Sequence, residues 1–241
     1  MKIALIGYGK MGRAIEQIAL QRGHSISHRI DASKMANISE LTPQNTDLAI
    51  EFTNPDVAYQ NLYACIAQGV PVVSGTTGWL EQKPALEQWC REQQGAFFYA
   101  SNYSIGVNLF FRLNTYLASI MAQQPYDVSM EEIHHTEKKD APSGTAITLA
   151  EGIIKQIPSF TKWTNDLSPQ ANELGISSKR EANVAGTHSV KYSSLVDQIE
   201  IIHTAHSREG FATGAVLASE WLLGKKGIFG MDDLLAHQYP R

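Results

Sequence analysis

From Glu132 to Ala146 the chain reads Glu-Ile-His-His-Thr-Glu-Lys-Lys-Asp-Ala-Pro-Ser-Gly-Thr-Ala. Two histidines, two lysines and an aspartate crowd into a short loop that runs into a helix start. Ser143 fits an N-cap, and Ala146, Leu149, Ala150, Ile153 and Ile154 then follow with helical apolar spacing. A helix N-terminus offers unpaired backbone N–H groups and a partial positive charge. With Lys138, Lys139 and the protonatable His134 and His135 it makes a compact anion trap, and so many donors suit two carboxylates. Alternation puts Glu132 and His134 on one face of a strand over residues 127–135, so Glu132 is expected to orient His134 or a neighbour. Adjacent His134 and His135 point apart on such a strand and no third ligand is evident, which speaks against a metal. His-His, Lys-Lys and Pro-Ser-Gly are each ordinary loop chemistry; only their joint spacing points to a site.

A second constellation stands at the N-terminus. The apolar strand Lys2–Ile6 runs into Gly7-Tyr8-Gly9-Lys10-Met11-Gly12, a Gly-x-Gly-x-x-Gly turn. A helix follows, with Met11, Ala14, Ile15, Ile18 and Ala19 on one face and Gly23 as its stop. Ile26, His28 and Ile30 mark a second strand ending at Asp31. Strand, glycine turn, helix and an acid about 20 residues on together form a dinucleotide fingerprint. Gly7 permits the turn, Gly9 lets backbone approach a pyrophosphate, and Gly12 brings the helix close to the strand. Asp31 stands where an acid bonds the adenosine ribose, favouring NAD(H); Lys34, Arg29 and His28 are placed to receive a 2′-phosphate instead.

These two stretches need elements to position them. Asp47–Phe52 reads as a third strand, Asn54 as the cap of a helix with Pro55 in its first turn, and Pro71–Ser74 as a fourth strand. A helix over 81–94 and a strand over 96–100 complete an alternating α/β pattern. Helical spacing returns over 107–123, with Leu109, Leu113, Tyr116, Leu117 and Ile120 available for packing. Residues 157–178 are polar and aperiodic and read as an ordered loop, a lid or a solvated linker. His188–Ser194 and Gln198–Thr204 read as paired strands. A helix carrying Phe211, Ala215, Val216, Ala218, Ser219 and Leu222 ends at Gly224.

Composition bounds the rest. The 241 residues suffice for one large or two modest domains, and a net charge of −4 argues against general attraction to nucleic acid or membrane. The start of the chain reads as a buried strand, and no apolar run is long enough to span a bilayer. Cys65 and Cys90 lie far from any metal-ligand spacing and read as reduced thiols of a cytosolic enzyme.

The 132–146 stretch resembles the signature of the dihydrodipicolinate reductases, Glu-x-His-x-x-x-Lys-x-Asp-x-Pro-Ser-Gly-Thr-Ala, through Glu132, His134, Lys138, Asp140, Pro142, Ser143, Gly144, Thr145 and Ala146. Gly75-Thr76-Thr77-Gly78 is similar to the family's loop beside the nicotinamide, and Asn102-Tyr103-Ser104-Ile105-Gly106 to its Asn-(Phe/Tyr)-Ser-x-Gly segment. Arg180 to His188 approximates Arg-x-Gly-x-x-x-Gly-x-His, with Ala182 in place of the first glycine. Ser129 stands where many members carry another acid, and the first glycine loop is one residue shorter than often seen.

The resemblance implies an α/β protein: a Rossmann-like nucleotide-binding domain, residues 1–102 plus 212–241, with an inserted mixed α+β substrate-binding and oligomerisation domain, residues 103–211. It implies reduction of 4-hydroxy-tetrahydrodipicolinate with NADH and/or NADPH in lysine and diaminopimelate biosynthesis, by a cytoplasmic homotetramer. His134 is then the proton donor and Lys138 the charge stabiliser, with His135, Lys138, Gly144 and Thr145 holding a substrate carboxylate. The cofactor contacts expected are Gly7, Tyr8, Gly9, Lys10, Met11, Gly12, Asp31, Lys34, Gly75, Thr76, Thr77, Ser101, Asn102, Tyr103 and Ser104. Two rivals share the glycine turn: another Rossmann dehydrogenase acting on amino-acid precursors, which lacks the His-x-x-x-Lys stretch, and a non-catalytic nucleotide sensor, which has no use for it.

Overall fold

The computed structural model describes residues 1–31, 38–166, 169–207 and 209–238. Lys34, expected at the cofactor, lies outside the described residues. The fold comprises two compact units, Met1–Ser104 with Phe211–Arg241, and Ile105–Gly210.

In the first unit, β1 (Lys2–Ile6) leads through the glycine turn into α1 (Lys10–Gln21) and back to β2 (Ser25–Ile30). Then come β3 (Leu48–Glu51), α2 (Pro55–Ala67), β4 (Val72–Ser74), α3 (Lys83–Glu92) and β5 (Ala96–Tyr99). Ile3, Ala4, Leu5 and Ile6 are all buried, and so is each residue of β3 and β4. Unbroken apolar runs of this kind belong to parallel strands covered on both faces. Asn54 caps α2, its side chain accepting from the Asp56 amide at 3.0 Å, and Gly23 takes the left-handed φ of +81° just past α1.

The second unit opens with α4 (Ile105–Met121) and β6 (Asp127–His134). The signature loop then leads to α5 (Gly144–Ile154), β7 (Lys162–Thr164), β8 (Glu173–Arg180), β9 (Gly186–Ser193) and β10 (Gln198–Ala205). Its sheet runs β10-β9-β6-β8-β7, parallel between β6 and β8 and antiparallel across β6, β9 and β10. Phe110, Leu117 and Met121 of α4 and Leu149, Ala150 and Ile153 of α5 pack with Met130, Ile176, Val190 and Tyr192 from one face of that sheet.

Two sequence expectations change here. Leu113, Tyr116 and Ile120 are exposed; α4 instead buries Val107, Phe110, Asn114, Leu117, Ala118 and Met121, with the Asn114 amide donating to the Leu149 carbonyl at 2.9 Å. Residues 157–178 are no bare loop, for they contain β7 and most of β8, a strand paired to β6. Only Leu174 and Ile176 are buried along β8, so the stretch lacked a visible apolar period.

The chain returns to the first unit through α6 (Glu209–Leu222), β11 (Gly227–Phe229) and α7 (Met231–Gln238). β11 pairs in parallel with β5, which completes a six-stranded sheet of order β11-β5-β4-β3-β1-β2 with every pair parallel. Arg22 and Glu220 form a bidentate pair at 2.8 and 2.7 Å, joining the end of α1 to α6. Cys65 and Cys90 are buried free thiols, and burial pushes both above the ordinary thiol range. Among the described residues no helix is long and apolar enough to cross a membrane.

Candidate active site

In the first unit β1 has β2 on one side and β3 on the other, so the strand order reverses there. Ligands of open α/β sheets bind outside the carboxyl ends of the strands at such a switch point. A cleft of about 390 Å³ lies there, lined by Gly7, Tyr8, Gly9, Asp31, Phe52, Thr53, Asn54 and Val57. Gly7 has φ +94°, and a Cβ on it would overlap the Phe52 carbonyl; around Gly9 a Cβ would meet nothing within 4 Å, leaving its backbone open to a close approach. These features fit a dinucleotide: a glycine cradle for pyrophosphate at the start of α1 and Asp31 at the next strand's end. Lys10, Met11 and Gly12 form the first turn of α1.

The remaining cofactor candidates follow β4 and β5. Thr76 is buried, and its hydroxyl donates to Glu51 at 2.8 Å while accepting from the Thr53 amide at 2.8 Å; Thr77 is exposed. The Thr76 hydroxyl is therefore committed inward, and the Gly75–Gly78 turn presents Thr77 and backbone outward. Glu51 is the hub of this packing. It also accepts from Ser74 Oγ at 2.6 Å and from the Thr53 amide and hydroxyl. Burial raises the Glu51 carboxyl above its usual range, and those hydrogen bonds oppose the rise. Tyr103 is buried, its hydroxyl donating to the Ser74 carbonyl at 2.6 Å; Asn102 Oδ1 accepts from the Ser104 amide at 2.9 Å, and Ser101 is exposed. Arg29, a possible phosphate contact, forms an ion pair with Glu16, which also accepts from the Tyr8 hydroxyl.

In the second unit, strand register builds the site. Along β6 the buried positions are Met130, Glu132 and His134. Val190 of β9 faces Met130 and His188 faces Glu132; in β8, Ser178 faces Glu132 and Arg180 faces His134. One sheet face thus passes from apolar core to a polar cluster in a few residues. The Ser143 amide donates to both Glu132 oxygens at 3.0 and 3.1 Å, and Ser143 Oγ caps α5, accepting from the Ala146 amide at 3.2 Å. Glu132 Oε2 lies 3.3 Å from His134 Nδ1 and 3.7 Å from His188 Nε2, and Arg180 Nη1 is 3.6 Å from Oε1.

Burial alone would raise the Glu132 carboxyl, but hydrogen bonds from Ser143 and Ser178 and the neighbouring His134 hold it below the usual range. Burial is also the main force lowering His134, with Lys138 and Arg180 adding to it and Glu132 and Asp140 opposing. Burial, with His134 close by, brings His188 down to about 4. Lys138 Nζ donates to both Asp140 oxygens at 2.8 Å, which holds that carboxyl below its usual range. Arg180 ties the loop down, donating to the Lys138 and Asp140 carbonyls at 3.3 and 2.6 Å. Gly144 and Thr145 open α5 at its positive end.

The structure brings His134, Lys138, Asp140, Gly144 and Thr145 onto one loop and helix start. The sequence placed Arg180 and His188 in the stretch that approximates Arg-x-Gly-x-x-x-Gly-x-His but gave neither a role; strand pairing brings both to Glu132. The fold also supplies the third neighbour that a metal argument lacked, since ligand atoms of Glu132, His134 and His188 all lie within 4.8 Å of one another. Glu132 already accepts twice from Ser143 and has Arg180 beside it, so the set reads as a charge-compensated network.

A parallel sheet with a glycine cradle at its switch point, in a chain that also carries a cationic loop with a buried Glu–His pair, is the arrangement of a Rossmann-type oxidoreductase. The profile for the N-terminus of dihydrodipicolinate reductase matches residues 1–103, and that for its C-terminus matches residues 106–235. A 4-hydroxy-tetrahydrodipicolinate reductase of Christiangramia forsetii is 48% identical over 237 residues, covering 98% of each chain. The chain belongs to the dihydrodipicolinate reductase family. In fold it is similar to a dipicolinate-bound dihydrodipicolinate reductase from Paenisporosarcina sp., with TM-score 0.77, 20% identity, and 97% of this chain and 99% of that one covered. A probable dehydrogenase from Thermotoga maritima shares the fold more distantly, at TM-score 0.59 and 8% identity over 97% of this chain and 92% of the other.

Proposed function

We propose that this chain reduces 4-hydroxy-tetrahydrodipicolinate to tetrahydrodipicolinate with NADH or NADPH, the 4-hydroxyl leaving as water and the hydride and one proton adding to the ring. The observation that carries the reading is the 48% identity to a reductase of that name along 98% of both chains. The first unit binds the dinucleotide at the Gly7–Gly9 cradle with Asp31 toward the ribose, and the reduced nicotinamide supplies the hydride. The second unit binds the dicarboxylate: His135, Lys138, Gly144 and Thr145 hold a carboxylate through charge, backbone N–H and hydroxyl.

His134 delivers the proton that balances the arriving hydride. Burial holds His134 below its usual range, so it is mostly neutral at rest; a bound dianion would favour the imidazolium and draw in the proton that is then transferred. Lys138 exchanges its pairing with Asp140 for the substrate and stabilises charge at the ring nitrogen as it develops. The protein works as a homotetramer in the cytoplasm. Support for assembly comes from β10, an edge strand with Ile199 and Ile202 exposed, next to a turn carrying exposed Leu195 and Val196.

The test is loss of reduced-nicotinamide absorbance, with substrate generated in situ from pyruvate and aspartate semialdehyde by a synthase. Oxidation that depends on the synthase product is expected; dinucleotide binding without oxidation would overturn the reading. His134→Gln should lower kcat by about 100- to 10,000-fold with KM largely kept. Lys138→Ala should lower kcat and raise KM, and normal turnover in either variant would remove that residue's role.

A further inference from the structure

β9 carries a residue whose burial its surroundings do not explain as packing. Tyr192 and Val190 fill the apolar part of the sheet face, and one step further in the same alternation stands His188, 5% exposed. A buried imidazole gives up water for partners, and an apolar side chain would fill the space at lower cost. Its partners are specific. Its Nε2 lies 3.1 Å from Ser143 Oγ and 3.7 Å from Glu132 Oε2, and its ring meets the His134 ring edge-on, with centroids 5.0 Å apart at 74°.

His134 is bounded on other sides as well. Glu132 Oε2 stands 3.3 Å from its Nδ1, off-line for a formed hydrogen bond. Catalytic hydrogen bonds are commonly misaligned before substrate binds and tighten in the complex. On the opposite edge is Gly186, where a Cβ would lie 3.1 Å from Nε2 and 3.2 Å from Cδ2, tighter than ordinary contact. The carboxylate itself is fixed by the two bonds from the Ser143 amide.

We propose that His188, Glu132 and Gly186 form a clamp that sets the ring orientation and tautomer of His134, with His188 a positioning residue that acts through Ser143, which holds Glu132, and through its ring contact. The clamp rests on the reading of His134 as proton donor. Glu132 draws a proton to Nδ1, so that the proton given up is the one on Nε2, the edge that Gly186 leaves uncrowded. His188 is itself enclosed and stays neutral, so it supplies shape and a hydrogen bond rather than a proton. The other charged groups near the pair are Arg180 from β8, Lys138 and Asp140 from the signature loop, and His203 from β10.

The experiment uses the whole 241-residue chain in six forms: wild type, His134→Gln, His188→Gln, His188→Asn, Glu132→Gln and Glu132→Asp. For each, kcat and KM are followed against pH, dinucleotide affinity is measured by fluorescence, and the histidine side chains are read by ¹⁵N spectra. His188→Gln and His188→Asn should lower kcat about tenfold or more while substrate KM stays within about twofold, the pattern of an interaction made only in the transition state. Both should also change the Nδ1–Nε2 tautomer signature of His134. In Glu132→Gln the alkaline fall of kcat should move to lower pH, because the imidazolium loses its anionic neighbour. A Glu132→Asp variant should restore part of that displacement.

Normal kcat, pH profile and His134 spectrum in both His188 variants would overturn the clamp. So would equal losses of turnover and dinucleotide affinity, which mark general damage to the fold. If neither His188 variant folds, Gly186→Ala decides: the clamp predicts a shifted His134 signature and lower kcat, and no change overturns it. Full activity in His134→Gln would instead overturn the proton-donor reading, whereas an inactive His134→Gln beside normal His188 variants removes the clamp alone.

Discussion

Glu51, at the end of β3, and Glu132, within β6, are buried carboxylates, one in each unit, and each is ringed by donors from its own neighbourhood. Glu51 gathers Ser74, Thr76 and Thr53; Glu132 gathers Ser143 and stands beside two histidines. Removing such an acceptor leaves buried donors unpaired, so Glu51→Ala should destabilise the protein by about 1–3 kcal/mol in urea unfolding. It should also loosen the Gly75–Gly78 turn and weaken dinucleotide binding. His188 supplies a pH dependence of stability. Its pKa is about 4 in the fold and about 6.5 when unfolded, so between those values the unfolded chain binds the extra proton. The stability due to neutral His188 is full above about pH 6.5 and is lost as pH falls toward 4, on the order of 3 kcal/mol. Urea midpoints at pH 7 and pH 5 should therefore differ less in His188→Asn than in wild type.

Among the elements, the buried parallel strands were easiest to read, because Ile3 to Ile6 and Leu48 to Ile50 are apolar at every position. The glycine turn and the Asn54 and Ser143 caps were equally plain, since each is local chemistry. What depends on distant partners was hidden. α4 carries apolar residues on two faces, and only the packing of α5 and the sheet chooses Phe110, Leu117 and Met121 over Leu113, Tyr116 and Ile120. β8 takes its strand identity from pairing with β6, although Ser177, Ser178 and Lys179 give it a polar look. For the same reason the signature loop could be recognised while the His188–Glu132 pairing could not, because nothing in either segment states its register. Leu149→Ala, on the chosen face of α5, should cost about 2–5 kcal/mol. Leu113→Ser on the exposed face of α4 should change the stability of the isolated chain by no more than about 0.5 kcal/mol. Urea titration reads both.

At the scale of the whole molecule, each sheet is open, with two outer strands. In the second unit β10 is one of them, and Ile202 there is 58% exposed. If copies of the chain assemble through that strand, Ile202→Lys should shift the protein to smaller species in light scattering after size exclusion, with dinucleotide affinity retained. In the first unit, β11 covers the edge of β5, and β11 follows the entire second unit in the chain. On the ribosome, therefore, five strands of the nucleotide sheet emerge early and wait, with β5 open along one side, while Ile105 to Gly210 is made. The inserted unit can finish folding first, because all its strands are contiguous. Translation halted after α6 would release a chain with a complete second unit and an unsealed first one, and that open strand edge is where such a chain would stick to others or be taken up by a chaperone.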